Sequence, residues 1–539
     1  MFVDTETIRL LWPEIILIAM ASWIYLAGAF QPQPVWWTCF SLAVYGVVAY
    51  VLLGAESSMW TTDVTLAGVS GPLRIDYLGF VLRCFAVLVG ILFTLMGTRG
   101  SNRNLTSEFL ATVMLLVAGL MLVARANDLV LLFVSLELIS IPTYVLLYLG
   151  RRGRVNSEAT IKYFFLSILS SALFLYGLSF LYGIAGTTTL IGVAGQASVQ
   201  SVTLDASAVS DTLSVAIAPI ALILLTAGLG FKIAAVPFHF YAPDVYQGCS
   251  NSNAGLLAVA PKIAGIVAIL RLLVVAMPWV ADIGWQLAIV LAVLTMTIGN
   301  VCALWQTNIR RLMAYSSIAH AGYMLIGVAV AFAFHEGTSA AGGVSATLFY
   351  LLVYVCASLG TFATLVVLGS SEHEVSGIDE LAGLARKRPA IAAMMAVFMF
   401  SLAGIPPLAG FWGKLTLFSS AVNTATAASD NASFARWFTL LAVGGALNAA
   451  IAAAYYLRIV ARMYFRPVQT DVPANGGIGA RAAMVLCVGL VLGLGLFPRL
   501  AVEVTHLVET AVVPATAVTN QSRGVIPSPQ LAQDQRAGD

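Results

Sequence analysis

The chain of 539 residues is 60% hydrophobic and 10% charged, and its formal net charge at pH 7 is only +2. With a mean hydropathy of +0.92, it has too few polar residues to cover a soluble globule, so the composition predicts a polytopic membrane protein. No dense basic patch interleaved with aromatic residues is present, which excludes a nucleic-acid-binding protein.

Apolar runs of about 20 residues, long enough to span a bilayer, occur about fourteen times along the chain. The sequence therefore predicts an all-α polytopic membrane protein with about fourteen transmembrane helices in a single membrane domain, residues 1–500. Residues 501–539 are rich in Pro, Gln and Ser and are predicted to be a mostly disordered tail. The first run, residues 10–30, ends like a signal peptide, but it is long and acidic residues precede it. We predict that it remains as the first span.

Two of these spans contain prolines among glycines and polar residues. The seventh reads GFKIAAVPFHFYAPDVYQG, with Pro237 and Pro243, and the twelfth reads SLAGIPPLAGFWGKL, with Pro406 and Pro407. Proline removes a helical hydrogen bond, and a broken helix is tolerated at membrane depth only where protein or a water-filled cavity satisfies the backbone. Spans seven and twelve are therefore predicted to be broken helices.

The two breaks lie five spans apart, which indicates an internal repeat. Because five is odd, two tandem copies of a five-helix unit must be inverted with respect to the bilayer. Spans four to eight, about residues 107–277, and spans nine to thirteen, about residues 282–466, are predicted to be these inverted repeats, each with its broken helix in fourth place.

Five ionisable residues lie in or at the edge of the apolar runs: Glu137, Lys162, Lys232, Lys262 and Lys414. Each costs roughly 2.5–3.5 kcal/mol at mid-membrane on insertion scales, so such residues usually mark an ion or proton path. Burial disfavours the charged form of a lysine, whereas a nearby carboxylate favours it. Movement of Glu137 toward or away from a lysine would then switch that lysine between holding and releasing a proton.

A static ion pair with Glu137 would explain one of the lysines but not Lys262 and Lys414, because few buried carboxylates remain for them. Lys162 lies toward the end of span six, where its ammonium can also snorkel to the interface. His239, just after the first break, and His320, within span ten, are either proton shuttles or donors of helix–helix hydrogen bonds. Both alternatives stay open for these histidines.

Cofactor signals are absent from the sequence. The six cysteines are far apart and form no C-x-x-C pair, so iron–sulfur or zinc sites made by this chain alone are not expected. GLGFKI, residues 228–233, lacks the third glycine of a dinucleotide fingerprint. We expect neither a cofactor-binding site nor a metal site.

Five segments carry a family resemblance: LFVSLELISIPTYVL, GFKIAAVPFHFYAPDVYQG, APKIAG, YSSIAHAGYML and GIPPLAGFWGKL, together about residues 127–420. They resemble the antiporter-like membrane subunits of bacterial respiratory complex I, the proton-translocating NADH:quinone oxidoreductase. Within that family the chain is most similar to the N subunits. It has PDVYQG after the first broken helix, and it has Lys414 where M subunits typically carry Glu.

The resemblance implies fourteen transmembrane helices with two inverted five-helix repeats, and a non-redox subunit that moves protons. It implies an entry half-channel from the cytoplasm through Lys232 paired with Glu137, a connection at Lys262 and an exit half-channel at Lys414. No cofactor is implied in this chain; NADH, FMN, iron–sulfur clusters and quinone are expected in partner subunits. The expected partners are the other membrane and peripheral subunits of complex I and the lipid bilayer.

Residues 249–253, CSNSN, depart from the family pattern, which commonly has an APT-type segment there, so contacts at this loop are in question. Two alternatives remain: a subunit of a multisubunit sodium/proton antiporter, or of an energy-converting hydrogenase. Most loop arginines and lysines fall on alternate loops of one side. By the positive-inside rule, this predicts that both termini lie on the external side. The resemblance implies that the chain is a multi-pass protein of the bacterial cell (inner) membrane.

Overall fold

The structure, a computed structural model, describes residues 5–31, 33–55, 68–97, 105–150, 153–192, 196–202, 212–334, 342–370, 373–428, 431–469 and 472–512. Both chain ends, which were predicted to be external, lie outside these ranges. Within them the protein is almost entirely α-helical. A short antiparallel hairpin pairs β1 (Gly68–Ser70) with β2 (Leu73–Ile75).

Helices and helical turns make up the other elements. In chain order they are α1 (Thr5–Leu10), α2 (Trp12–Gly28), α3 (Pro34–Ala55), α4 (Tyr77–Gly97), α5 (Thr106–Arg125), α6 (Leu129–Gly150), α7 (Arg154–Ala185), α8 (Thr212–Ile233), α9 (Tyr241–Gly248), α10 (Asn251–Ala268), a π-helical turn (Ile269–Val275), a 3-10 turn (Pro278–Val280), α11 (Ala281–Leu304), α12 (Ile309–Phe334), α13 (Gly343–Val367), a 3-10 turn (Asp379–Leu381), α14 (Leu384–Lys387), α15 (Pro389–Ala403), α16 (Ala409–Ala427), α17 (Ala432–Phe465), α18 (Gly477–Leu496) and α19 (Pro498–Val512).

Among the described residues, twelve helices are long and apolar enough to cross a membrane, and α2 and α15 are shorter apolar helices. A bilayer core of about 30 Å requires about 20 apolar residues per helix, and only a helix or a closed barrel satisfies its own backbone there. The chain is therefore a polytopic all-α membrane protein, as predicted.

The centre of the protein is formed by α10, α12 and α13. All residues in the apolar stretches of α10 and α12 are buried, and 89% of those in α13 are buried. Glycine allows α8 to approach α10 closely, because a Cβ at Gly265 would lie 2.5 Å from Ile233 and 3.2 Å from the Cβ of Lys232. The end of α8 therefore packs one turn from Lys262 on α10.

The divergent segment 249–253 connects three helices. Ser250 caps α10 by accepting the backbone N–H of Asn253 at 3.3 Å. The side-chain amide of Asn253 donates to the Leu146 carbonyl of α6 at 2.5 Å, and Arg310 of α12 donates to the Cys249 carbonyl at 2.6 Å. These polar groups supply the local contacts that the family pattern left in question.

Helix α19 continues to Val512, beyond residue 500, where the membrane domain was predicted to end. One face of α19 is buried, with Val508 fully enclosed and Glu509 only 7% exposed. The Glu509 carboxylate accepts the backbone N–H of Gly342 at 2.7 Å, at the start of α13, where a negative charge is favourable. Burial raises the pKa of this carboxyl group. The rest of the predicted tail, residues 513–539, lies outside the described residues.

Candidate functional site

The first proline-containing stretch separates two helices. Helix α8 ends at Ile233 and α9 begins at Tyr241, and Ala234, the first residue after α8, has a φ of +59°. In the gap, the backbone N–H of Val236 donates to Thr295 Oγ1 of α11 at 3.1 Å. A neighbouring helix thus satisfies part of the backbone that the break exposes.

Lys232, one residue before the end of α8, faces Glu137 on α6. Its Nζ lies 3.7 Å from Glu137 Oε1 and donates to Ser140 Oγ at 2.5 Å. Ser171 of α7 donates to the same carboxylate oxygen at 2.5 Å. The side chains of Lys232 and Glu137 are 7% and 25% exposed. The structure therefore brings this predicted pair together, but a serine hydroxyl, rather than the carboxylate, is the nearer partner of the lysine.

Lys262 lies in the middle of the buried α10 and contacts polar groups on α12 and α13. Its Nζ donates to Ser317 Oγ at 2.6 Å and to the Ser317 carbonyl oxygen. The hydroxyl of Tyr354 lies 3.4 Å from the Nζ and 2.8 Å from Ser317 Oγ. The ammonium also lies 4.6 Å from the centre of the Tyr354 ring, which is favourable for a cation.

His320 lies one helical turn after Ser317 on α12, and a tyrosine contacts each of its two ring nitrogens. Its Nδ1 lies 2.6 Å from the hydroxyl oxygen of Tyr350 on α13, and its Nε2 lies 2.9 Å from that of Tyr456 on α17. The ring centroid of His320 is 4.9 Å from that of Tyr354. This histidine therefore belongs to the same polar cluster as Lys262.

The second proline-containing stretch lies between α15, which ends at Ala403, and α16, which begins at Ala409. Gly404 follows α15 with a φ of +89°, a conformation that favours glycine. Lys414 reaches back across this glycine and donates to the carbonyl oxygens of Leu402 at 3.0 Å and Ala403 at 2.8 Å. Helix ends leave such carbonyls unsatisfied, and their partial negative charge attracts a cation.

The ammonium of Lys414 lies 5.1 Å from the centre of the Tyr323 ring. Among the described residues, neither Lys262 nor Lys414 has a carboxylate within ion-pair distance; serine, tyrosine and backbone oxygens take that place. Within the described residues, hydroxyl groups, backbone carbonyls and aromatic rings therefore surround both ammonium groups.

The structure does not bring the two other candidates into this cluster. Lys162 is 44% exposed on α7, and its Nζ lies 2.7 Å from Glu158 and 3.6 Å from Asp244. His239 lies in the gap between α8 and α9. Neither makes a hydrogen bond to Glu137 or to the buried lysines in the described part of the chain.

Sequence reasoning missed Tyr350, Tyr354 and Tyr456, together with the serines that contact them. These tyrosines lie on two different helices, and all are 2% exposed or less. A phenol group in the middle of an apolar span needs a hydrogen-bond partner when it is buried. This requirement was the one sequence signal that could have indicated a polar cluster at these tyrosines. In the described residues, no group of three or more His, Cys, Asp or Glu side chains is arranged to hold a metal ion.

Residues 126–439, more than half of the chain, match the family described as "NADH:quinone oxidoreductase/Mrp antiporter, TM". This range includes Glu137, Lys232, Lys262, His320 and Lys414. The NADH-quinone oxidoreductase subunit N of Rhodospirillum rubrum is 35% identical over 94% of this chain and 97% of its own length. The chain belongs to the family of NADH-quinone oxidoreductase N subunits.

A solved structure is also similar to this chain. A structure of respiratory complex I from Thermus thermophilus contains a chain that is 32% identical, with a TM-score of 0.71 over 91% of this protein and 98% of that chain. The F(420)H(2) dehydrogenase subunit N of Methanosarcina mazei is 35% identical over 94% of this chain and its own full length. N subunits at similar identity therefore carry names with two different electron donors.

Proposed function

We propose that this chain is a proton-translocating membrane subunit of an NADH:quinone oxidoreductase and carries no redox centre of its own. The observation that supports the proposal is the line of buried titratable groups, which runs from Glu137 and Lys232 through Lys262 and His320 to Lys414. Such groups are costly inside a membrane protein and usually mark a proton path.

The proposed architecture has fourteen spans. The twelve long helices account for most of them, α2 is the first, and α15 with α16 forms the twelfth. The first inverted repeat runs from α5 to α10 and its π-helical turn, and the second runs from α11 to α17. In each repeat the fourth span is a broken helix, α8 with α9 and α15 with α16.

Proton entry is proposed at Lys232. Two unit charges about 4 Å apart interact by about 4 kcal/mol at an effective dielectric constant of 20, and Glu137 lies 3.7 Å from the ammonium. Lifting one charge against about 150 mV requires roughly 3.5 kcal/mol. A shift of the Glu137 carboxylate away from Lys232 therefore changes the proton affinity of Lys232 by an amount of the same order as the work of translocation.

From Lys232 the proton passes to Lys262, which is adjacent across the Gly265 contact, then to His320, and it leaves through Lys414. Lys162 and His239 are proposed at the cytoplasmic entrance. The ammonium of Lys162 lies 3.6 Å from Asp244 of α9, and α9 begins directly after the gap that contains His239. The entrance is therefore a set of partly exposed charges that leads to a buried pair.

The proposed partners are the other membrane and peripheral subunits of the oxidoreductase, in the bacterial inner membrane, with the termini of this chain external. NADH, FMN, iron–sulfur clusters and quinone are assigned to those partner subunits. A sodium/proton antiporter subunit is the second candidate, because the family description names both classes. The relatives named subunit N, at 35% identity over nearly the full length, favour the oxidoreductase.

The deciding experiment replaces Lys262 by alanine in the assembled complex and measures proton translocation per NADH oxidised in sealed vesicles. We expect translocation to fall at least about tenfold, together with the coupled oxidoreductase rate, while subunit content stays near wild type. Lys387→Ala, which removes an exposed lysine of α14, is the matched control and should change neither. Wild-type translocation in Lys262→Ala would exclude the proposed path.

A further inference from the structure

We propose that Tyr350 and Tyr456 are proton-relay residues, which pass protons through the two ring nitrogens of His320 between Lys262 and Lys414. This inference rests on the proposed function and extends it to residues that have no charge. It stands on one arrangement: both ring nitrogens of a buried histidine lie within hydrogen-bond distance of a tyrosine hydroxyl, at 2.6 and 2.9 Å.

The arrangement fixes how the hydrogens are ordered. A neutral imidazole has one N–H donor and one bare nitrogen acceptor, whereas a tyrosine hydroxyl both donates and accepts. One of the two tyrosines must therefore donate to His320 while the other accepts from it. Exchange of these roles requires only that the imidazole change tautomer and that the two hydroxyl groups reverse direction.

The two hydroxyls lead toward different lysines. Tyr456 shares a hydrogen bond with Ser316, and the next residue, Ser317, binds the ammonium of Lys262. The ring of Tyr350 packs against Gly413, where a Cβ would lie only 2.8 Å from it, beside Lys414 in the chain. The relay therefore has a Lys262 end at Tyr456 and a Lys414 end at Tyr350.

The transfer conserves protons and charge. Lys262, as the ammonium, releases one proton to Ser317 Oγ, its hydrogen-bond partner. The hydroxyls of Ser317 and Ser316 each pass their own proton on, so that Tyr456 receives one proton at its oxygen. Tyr456 passes its own hydroxyl proton to Nε2 of His320, which forms an imidazolium. Nδ1 then gives its proton to the oxygen of Tyr350, and Tyr350 passes its former hydroxyl proton to the neutral amine of Lys414. Lys262 ends as the amine and Lys414 as the ammonium, and neither tyrosine becomes an anion.

Each passage leaves the chain of hydrogen bonds reversed. Nε2 now carries the hydrogen and Nδ1 is bare, so a second proton cannot follow in the same direction until the imidazole and hydroxyl groups return to their first orientation. The relay would therefore transmit one proton per reset, which limits leakage between the two lysines.

The same hydrogen bonds could instead only position His320, so the test compares tyrosines that differ in nothing but their partner. Tyr350→Phe and Tyr456→Phe each remove one hydroxyl and keep the ring. Tyr45→Phe is the control: Tyr45 on α3 is equally buried, and its ring packs against Gly90 of α4 rather than against His320.

Proton translocation per NADH oxidised is measured for the assembled complex in vesicles and normalised to subunit content. We expect about a tenfold or larger loss for each relay variant and nearly wild-type translocation for Tyr45→Phe. The double variant Tyr350→Phe/Tyr456→Phe should lose no more than either single variant, because two breaks in one series path interrupt the same flow. Losses that multiply would indicate two positioning contacts and overturn the relay.

Lys262→Ala in the same assay separates the two proposals. If Lys262→Ala abolishes translocation while both tyrosine variants retain the wild-type value, the path stands and the tyrosine relay is wrong. If Lys262→Ala translocates normally, the proposed function itself fails. Equal losses in all three tyrosine variants, including the control, would assign the effect to packing and also overturn the relay.

Discussion

The two broken helices share a backbone form but hold their lysines by opposite means. Each break opens with a residue at positive φ, Ala234 at +59° and Gly404 at +89°. Lys232 lies before its break and faces a carboxylate 3.7 Å away. Lys414 lies after its break and binds two main-chain carbonyls of the preceding helix end.

Because of this difference, the electric field at Lys232 is adjustable, whereas the field at Lys414 is constant. A carboxylate side chain can move or take up a proton, so the field at Lys232 can change during a cycle. The carbonyls at the end of α15 are fixed by the helix, so the field at Lys414 stays the same. In the proposed path, the electric field is variable at Lys232 and constant at Lys414. Loading and release of the proton would therefore take place in different fields.

The largest effect is expected at Lys414. Lys414→Arg should lower proton translocation nearly as much as Lys414→Ala, by about tenfold or more, because a guanidinium keeps its charge but is not deprotonated in proteins. Translocation in vesicles and the amount of assembled complex are measured together. An arginine variant that translocates at the wild-type rate would show that Lys414 need not titrate.

At the first break, the test removes the carboxylate of Glu137, which faces Lys232. Glu137→Gln keeps an oxygen for Ser171 but removes the charge beside Lys232, so we expect translocation to fall several-fold with assembly intact. Lys232→Ala should have a similar effect, and the double variant should be no worse than either. Glu503→Gln, which changes an exposed carboxylate on α19, is the control. Undiminished translocation in Glu137→Gln would remove the proposed difference between the two breaks.

The positive-φ residues provide a reciprocal pair of stability tests. Gly404→Ala places a Cβ 3.0 Å from Lys414 Cδ in a conformation that costs an L residue about 1–2 kcal/mol. We expect it to lower the apparent melting temperature of the purified complex. Ala234→Gly relieves the corresponding strain and should leave that temperature unchanged or raise it slightly. Equal shifts in the same direction would contradict this interpretation of the backbone.

The smallest effect is expected at Lys162. Its ammonium is partly exposed and has two carboxylate neighbours, so Lys162→Ala should lower translocation by about twofold or less. Lys162→Arg should restore the wild-type value, since the ion pairs with Glu158 and Asp244 remain possible. A tenfold loss in both variants would place Lys162 inside the path alongside Lys414.

Much of this site follows from the sequence because charge in an apolar run is conspicuous. Glu137, Lys232, Lys262 and Lys414 stand out against their neighbours, and the scarcity of buried acids indicates that the last two lack carboxylate partners. The prolines of spans seven and twelve mark the gaps that separate α8 from α9 and α15 from α16.

The tyrosine cluster could not be predicted in the same way. Tyr350 and Tyr456 lie more than a hundred residues apart and meet only because α12, α13 and α17 pack together. In sequence they are two aromatic residues among many. Lys162 shows the converse case: in sequence it resembles the buried lysines, but its side chain is 44% exposed. Helix α19 was missed because its polar residues resemble those of the tail that follows.

The central helix α10 is also held by an ion pair at its C-terminal end. The π-helical turn that continues it carries Arg271, which forms a bidentate pair with the buried Asp76 and donates to the Ala124 carbonyl. Breaking a buried pair of this kind costs about 3–5 kcal/mol. We therefore expect α10 to stay fixed relative to α4 and α5. In the proposed path, proton transfer at Lys262 would then depend on rotation of side chains rather than on sliding of the helix that carries it.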